Sequence, residues 1–133
     1  MTTTTYKYGK YTCKAYKKSA GKGWEVGILW GNSQIFVGNF IHAKEANAWW
    51  TMMNAEIRKF SKRYALPKTA SATFFTKFMT NYIYRSYYTF LDRQFAKYTK
   101  GYTQTCRRME RTFTGLKKRW PANATRTTFR KAA

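Results

Sequence analysis

The chain has 133 residues and carries 26 Lys and Arg against 5 Asp and Glu, so its formal net charge is +21. This length fits one compact unit, or one small domain with an extension. A body with such a charge repels itself, so we expect it to act beside a polyanion, of which nucleic acid is the commonest. The aliphatic share is low, but aromatic residues form 20% of the chain and supply the volume for a core, which argues against disorder.

The sequence also excludes several classes of protein. It contains no run of about 18 apolar residues, so we expect no membrane span. The segment Met1–Tyr8 has no apolar stretch of the kind that directs secretion, and we therefore expect an intracellular protein of the cytoplasm or nucleoid. A phosphate-binding loop of the Gly-Lys-Ser/Thr type is absent from the sequence.

Residues that carry catalytic or metal chemistry are few. Cys13 and Cys106 share no motif and His42 is the single histidine, so the sequence offers no zinc-binding set. The five acidic residues are spread singly along the chain: Glu25, Glu45, Glu56, Asp92 and Glu110. Because metal-dependent nucleases need clustered carboxylates and glycosidases need a facing pair, we predict that the protein is not an enzyme and uses no metal or other cofactor.

The N-terminal part alternates with the period of a β-strand. Residues 1–5 are predicted to be a loose, polar tail. From Tyr8 to Tyr16, basic and aromatic residues alternate with smaller ones, which predicts a first strand with one basic, aromatic face. Residues 17–23 are rich in Lys and Gly and are predicted to form a connecting loop.

Two further strands are predicted after this loop. In the first of them, residues 24–30, the side chains of Trp24, Val26 and Ile28 share one side. A turn at 31–33 leads to the next strand, at residues 34–40. Because the connections are short, we predict that the three strands form an antiparallel sheet.

From Ala43 the apolar period changes to that of a helix. The predicted helix ends near Tyr64–Leu66, because the residue before Pro67 disfavours helical geometry. Trp49 flanks its apolar stripe, which we predict to cover the apolar face of the sheet. The residues of the stripe are Ala46, Trp50, Met53, Ile57, Phe60 and Tyr64.

The C-terminal half is predicted to be helical. Residues 68–100 have aromatic side chains on several faces, and we predict a helix with a break near Tyr87 and a stop at Gly101. Residues 103–120 predict a basic amphipathic helix that Pro121 ends. Its apolar positions are Cys106, Met109, Phe113, Leu116 and Trp120.

The predicted fold is of the α+β class. It consists of a three-stranded antiparallel sheet packed on one amphipathic helix, followed by a mostly helical C-terminal extension. We divide the chain into a sheet-and-helix unit at residues 6–66, a helical extension at 67–120 and a basic, flexible tail at 121–133. The basic residues differ between these parts, since every one before Arg58 is a lysine.

The sheet-and-helix unit resembles the plant ethylene-response-factor (APETALA-two) DNA-binding domain over about residues 8–64. That domain has three antiparallel strands and one packed helix, and it is itself similar to the arm-binding domains of some phage integrases. The matching residues are Trp24, Val26 and Ile28, then Val37-Gly38-Asn39-Phe40, then Ala43, Glu45, Ala46, Ala48 and Trp49 in the helix.

The resemblance implies that the sheet, on its face opposite the helix, contacts the major groove of DNA. The family places arginines on that face, which bind guanine in a bidentate manner, whereas this chain has lysines, which suit phosphate better. His42 stands where the family has a threonine helix cap. Carried over by position, the contact face holds Lys10, Thr12, Lys14, Tyr16, Glu25, Leu29, Gln34 and Phe36.

We predict two groups of nucleic-acid-binding residues. The first group belongs to the sheet and its loop and comprises Lys10, Thr12, Lys14, Tyr16, Lys17, Lys18, Gln34 and Phe36. The second group belongs to the basic C-terminal helix and comprises Arg107, Arg108, Arg111, Lys117, Lys118 and Arg119.

The predicted function is duplex-DNA binding of low sequence specificity, by a nucleoid-associated, architectural or transcription-related protein that grips the phosphate backbone. One alternative is an RNA- or ribosome-binding protein, in which exposed aromatic side chains stack on unpaired bases. A second alternative is a basic linker or assembly protein that docks on an acidic protein complex.

Overall fold

The computed structural model describes residues 1–8, 11–64, 66–67, 72–95, 101–118, 126–127 and 130–131. The strands are β1 (Thr2–Tyr8), β2 (Tyr11–Ala20), β3 (Gly23–Trp30), β4 (Ser33–Phe40), β5 (Leu66–Pro67), β6 (Arg126–Thr127) and β7 (Arg130–Lys131). The helices are α1 (Ala43–Arg63), α2 (Ala72–Phe95) and α3 (Gly101–Lys118). The fold is thus of the α+β class.

The sheet has four long antiparallel strands, so the prediction of three was wrong. Its order is β4-β3-β2-β1, and the two-residue strand β7 pairs with the outer edge of β1. Most of the extra strand comes from residues 1–5, which were predicted to be a loose tail; it pairs with β2 from Thr2 opposite Lys17 to Tyr8 opposite Tyr11. Threonine favours extended backbone, and Tyr6 anchors the strand: it is 1% exposed and its Oη donates a hydrogen bond of 2.7 Å to Asn54 Oδ1.

Strand β2 is also longer than predicted. It runs to Ala20, so the predicted loop at residues 17–23 shrinks to a two-residue turn between the paired residues Ala20 and Gly23. A second two-residue turn joins β3 and β4 between Trp30 and Ser33. The lysines at positions 17 and 18 therefore lie in a strand, and the alternation of a strand sends them to opposite faces.

Helix α1 covers one face of the sheet, as the apolar stripe predicted. It begins at Ala43 and ends at Arg63, and His42 precedes it without a side-chain cap. The stripe is rotated slightly from its predicted position, because Trp49 is fully buried whereas Trp50 is only partly buried. The other fully buried stripe residues are Ala46, Met53, Ile57 and Phe60.

Helix α2 packs on α1, on β4 and on α3, which explains why aromatic residues lie on several of its faces. Tyr87 contacts the sheet side at Phe36, with ring centroids 5.2 Å apart. Phe78 faces α3, where it stacks on Phe113 at 5.3 Å. The helix has no break near Tyr87, and Gly101, predicted as a stop, begins α3.

One continuous core joins these elements. It includes residues of the sheet, of α1, of α2 and the α3 residues Phe113 and Leu116, so it crosses the predicted boundary at residues 66–67. Within residues 121–133, predicted to be a flexible tail, the structure describes the short strands β6 and β7. Among the described elements, α1 and α2 pack on one face of the sheet and leave the opposite face toward solvent.

Candidate nucleic-acid interface

The face of the sheet turned away from α1 and α2 is built by the alternation of its strands. On β2, Cys13 and Ala15 are buried beneath the helices. The residues that alternate with them, at positions 12, 14, 16 and 18, therefore point to the other side. Cross-strand partners share a face, which adds Lys7 opposite Thr12 and Leu29 opposite Lys14. We call this surface the exposed sheet face; its main polar residues are Lys7, Thr12, Lys14, Tyr16, Lys18, Glu25 and Gln34.

Tyr16 lies at the centre of the exposed sheet face and is only 5% exposed, and the hydroxyl end of its ring lies against Gly27 of β3. Gly27 makes this possible: a Cβ atom there would lie 2.5 Å from the Tyr16 Oη, 2.6 Å from its Cζ and 2.8 Å from the carbonyl oxygen of Phe36. The absent side chain at position 27 thus holds the phenol at one place on the face.

The Tyr16 hydroxyl joins two neighbouring strands. It donates a hydrogen bond of 2.7 Å to Glu25 Oε2 and accepts one of 2.6 Å from Gln34 Nε2. Burial, followed by the hydrogen bond to Glu25, raises the pKa of Tyr16 to about 12, so the phenol stays protonated at neutral pH. Around this network lies a depression of about 220 Å³, whose remaining wall residues are Met1, Lys14, Lys18 and Leu29.

The charge of the face is positive. Glu25 is its one acidic residue among those described, and it pairs with Lys18 at 3.8 Å. The Lys18 ammonium also lies 5.9 Å from the centre of the Tyr16 ring. Lys7 and Lys14 lie on the same face, which therefore carries three lysines against one carboxylate.

The second predicted group lies on α3. Phe113 and Leu116 are buried against α2, and the basic side chains point outward: Arg107, Arg108, Arg111, Lys117 and Lys118 are exposed. Arg85 of α2 fixes this packing, since its guanidinium lies 4.1 Å from the Phe113 ring centre and pairs with Glu110 at 3.0 Å. Helix α3 packs on α2, on the helix side of the sheet, whereas the exposed sheet face is on the opposite side. The two basic groups therefore form separate surfaces.

Two predicted sheet residues do not belong to the exposed sheet face. Phe36 is 1% exposed, and the centre of its ring lies 5.7 Å from that of Trp49 of α1, so it is a core residue. The reason is a β-bulge: Ile28 pairs with Phe36 but Leu29 pairs with Gln34, which leaves Ile35 as an extra residue. Gln34 and Phe36, two positions apart, therefore face opposite sides.

Lys17 is the other correction. Its Nζ donates a hydrogen bond to Asn47 Oδ1 of α1 and lies 6.0 Å from the centre of the Trp50 ring, so it belongs to the helix side. The predicted residues that do lie together on the exposed sheet face are Thr12, Lys14, Tyr16, Lys18 and Gln34. Lys10 and Arg119 lie outside the described residues.

Sequence analysis missed Lys7. It is exposed and lies opposite Thr12, so it belongs to the same surface as the predicted lysines. The signal was present, because Tyr6 and Lys7 continue the alternation of the chain toward its start. It was not predicted because residues 1–5 were expected to be a loose tail and the first strand was expected to begin only at Tyr8.

Other functional groups are limited in the part of the chain that the structure describes. Burial raises the pKa of the Cys13 thiol to about 12, so it is an inert core thiol. Within that part, no three His, Cys, Asp or Glu residues come together as a metal site. None of its helices is long and apolar enough to cross a membrane.

No family model, curated protein or solved structure matches the chain. The resemblance to the ethylene-response-factor domain is therefore a prediction from the sequence alone.

Proposed function

We propose that the protein binds duplex DNA with low sequence specificity, through the exposed sheet face. The observation that carries the proposal is the placement of Lys7, Lys14 and Lys18 on the sheet face that the described helices leave open. Contacts between lysine and phosphate are independent of sequence and release condensed counterions, so they suit a protein that grips the backbone.

The spacing of the lysines on β2 supports this proposal. Lys14 and Lys18 are four residues apart on the same strand, which corresponds to roughly 13 Å at about 3.3 Å per residue. The major groove of B-DNA is about 12 Å wide. Two lysines at this separation can reach phosphates on opposite sides of one groove, with Tyr16 between them over the bases.

The whole-chain charge supports a polyanionic partner as well. The described ion pairs are Lys18–Glu25, Lys59–Glu56 and Arg85–Glu110. With 5 acidic residues against 26 basic ones, internal pairing leaves most of the positive charge for a partner or for counterions. The basic face of α3 provides a second contact surface, which fits an architectural protein that holds two DNA segments.

The RNA alternative depended on exposed aromatic side chains. Among the described side chains, the exposed large apolar residues are Met1 and Ile41, and neither is aromatic. The rings lie instead in the core or partly covered at its margin, as Tyr16 does on β3. Stacking of unpaired bases therefore has little surface available in this part of the chain, which favours duplex DNA over RNA as the proposed partner.

The proposal is tested by the salt dependence of binding to a 20-base-pair duplex, measured by fluorescence anisotropy. Each phosphate contact contributes about 0.9 to the slope of log K against log salt. Replacing Lys7, Lys14 and Lys18 by Ala should therefore reduce the slope by about 2.7. Between 50 and 200 mM salt, the affinity of this variant should therefore fall about 40-fold less than that of the unsubstituted protein.

The matched control is Lys17→Ala, because Lys17 is the sequence neighbour of Lys18 but lies on the helix side. We expect its slope to stay within about 0.5 of the unsubstituted protein, well below the 0.9 of a single contact. Equal slopes for the triple variant and the unsubstituted protein would contradict binding through the sheet. Tighter binding to structured RNA, or only to an acidic protein, would favour one of the alternatives.

A further inference from the structure

The acidic residue on the exposed sheet face is unexpected for a surface that meets phosphates. Glu25 is partly buried, accepts the hydrogen bond of Tyr16 and pairs with Lys18. A carboxylate at this position repels the DNA backbone, so its presence on this face indicates that it serves another purpose. Its partners indicate that purpose, because they form a chain of hydrogen bonds that ends at Gln34.

The number of available protons fixes the orientation of the Gln34 amide. Tyr16 Oη has one proton, which it donates to Glu25, and a carboxylate can only accept. The oxygen of Tyr16 must therefore accept from Gln34, which requires the NH₂ group of the amide, and not its oxygen, to face Tyr16. If the amide were flipped, two acceptors would face each other without a proton between them.

This orientation leaves a defined pair of groups on Gln34. One N–H of the NH₂ group is used by Tyr16, so a second N–H donor and the Oε1 acceptor remain. Gln34 is an exposed residue, so the second N–H and Oε1 are open to a partner. A glutamine amide that presents one donor and one acceptor in a plane is the complement of adenine N7 and N6 in the major groove.

The surroundings of Gln34 match such a contact. The depression beside it is walled by Lys14 and Lys18, which in the proposed function reach phosphates on the two sides of the groove. Leu29, which pairs with Gln34, and Met1 provide apolar surface at the same place, where the methyl group of a thymine can pack. Gln34 therefore lies on the edge strand β4, in the same cross-strand row as Leu29 and Lys14 and beside the depression that the two lysines wall.

We propose that Gln34 recognises the major-groove edge of one adenine, with its amide held in a single orientation by Tyr16 and Glu25. This inference rests on the proposed function. It adds one position of A·T preference to a protein that otherwise grips the phosphate backbone. Tyr16 is a positioning residue, since it acts through Gln34.

The test is selection from a library of randomised duplexes, followed by sequencing of the bound fraction. The unsubstituted protein should enrich A·T at one position of the bound site, by about fivefold or more over other base pairs. Gln34→Ala should remove that enrichment while its affinity for unselected DNA changes by less than about twofold, because no phosphate contact is lost.

Two further variants separate positioning from folding and from phosphate contact. Tyr16→Phe keeps the ring on Gly27 but loses the hydroxyl, so the amide can flip and the preference should weaken; its melting temperature shows whether the fold persists. Lys14→Ala is the matched control, because it should lower affinity for every duplex yet keep the A·T preference.

The outcomes distinguish this inference from the proposed function. If the protein binds duplexes with the predicted salt slope but enriches no base pair, or if Gln34→Ala retains the enrichment, the inference is wrong and the proposed function stands. If the protein binds no duplex at low salt, the proposed function fails and the inference fails with it.

Discussion

Replacement of Trp49 by alanine should destabilise the fold strongly. Trp49 is 0% exposed and lies among Phe36, Tyr87 and Phe90, with ring-centroid distances of 5.7, 5.2 and 5.5 Å. Large-to-small changes of a buried Trp cost about 3–5 kcal/mol. The indole Nε1 has no hydrogen-bond partner among the described residues, so its removal recovers part of this cost and places the expected value near the lower end.

The adjacent Trp50 is the matched control. It is partly buried at the margin of the core, and Trp50→Ala should cost only about 1–2 kcal/mol. Urea unfolding measures both values. In thermal unfolding, Trp49→Ala should lower the melting temperature by roughly 10–20 °C for a chain of this size. A cost for Trp50→Ala equal to or greater than that for Trp49→Ala would refute the packing of α1 on the sheet.

Three other predictions concern the core thiol, the α2–α3 contact and the second basic surface. At pH 8, Cys13 should react with iodoacetamide roughly a thousandfold more slowly in the folded protein than in guanidinium, because burial raises its pKa from 9.0 to about 12; peptide-resolved mass spectrometry measures this, and equal rates would mean that the thiol is accessible. Arg85→Ala should cost about 1–2 kcal/mol in urea unfolding, because its guanidinium stacks on Phe113; Lys59→Ala, which removes a surface ion pair, should cost less than about 1 kcal/mol, and equal costs would mean that the stacking is unimportant. A protein with two contact surfaces should bridge two duplexes, so that it retains a labelled duplex on an immobilised one. Replacing the α3 residues Arg107, Arg108 and Arg111 by Ala should abolish this retention but leave binding to a single short duplex largely intact. Unchanged retention would show that α3 is not a second contact surface.

The sequence predicts strands well where the two faces of the sheet differ in polarity. On β3, Val26 and Ile28 are buried under the helices and alternate with residues of the other face, so the period is clear. On β1 the pattern is hidden, because Thr2–Thr5 present the same side chain to both faces. Only the pairing with β2 makes this segment a strand, and pairing between segments is not visible in a local pattern.

The position of each side chain on a face depends on register, which a single inserted residue reverses. Alternation alone puts Gln34 and Phe36 on the same side, and the bulge at Ile35 separates them. In the same way, Lys17 and Lys18 were equivalent in a predicted loop and become opposite once β2 extends to Ala20. Composition and alternation predicted a lysine-rich candidate site. Which residues belong to that site depends on how the strands pair in three dimensions.

One feature of the candidate site, its hydrogen-bond network, has almost no local signal in the sequence. Tyr16, Glu25 and Gln34 come from three different strands, and each residue type is common on a solvent-facing strand. Their hydrogen bonds depend on the close approach of the Tyr16 ring to Gly27, which follows from the register of β2 against β3. A glycine in the middle of a strand is the only local indication that another group approaches the backbone there.

Site-resolved protection of lysines tests DNA binding through the exposed sheet face in the unaltered protein. Acetylation with a limiting reagent, with and without a 20-base-pair duplex at low salt, is read by mass spectrometry of peptides. We predict that the duplex protects Lys7, Lys14 and Lys18, while the neighbouring Lys17 and the α1 residue Lys44 keep their reactivity. Equal protection of Lys17 and Lys18, or protection confined to the helices, would contradict DNA binding through the exposed sheet face.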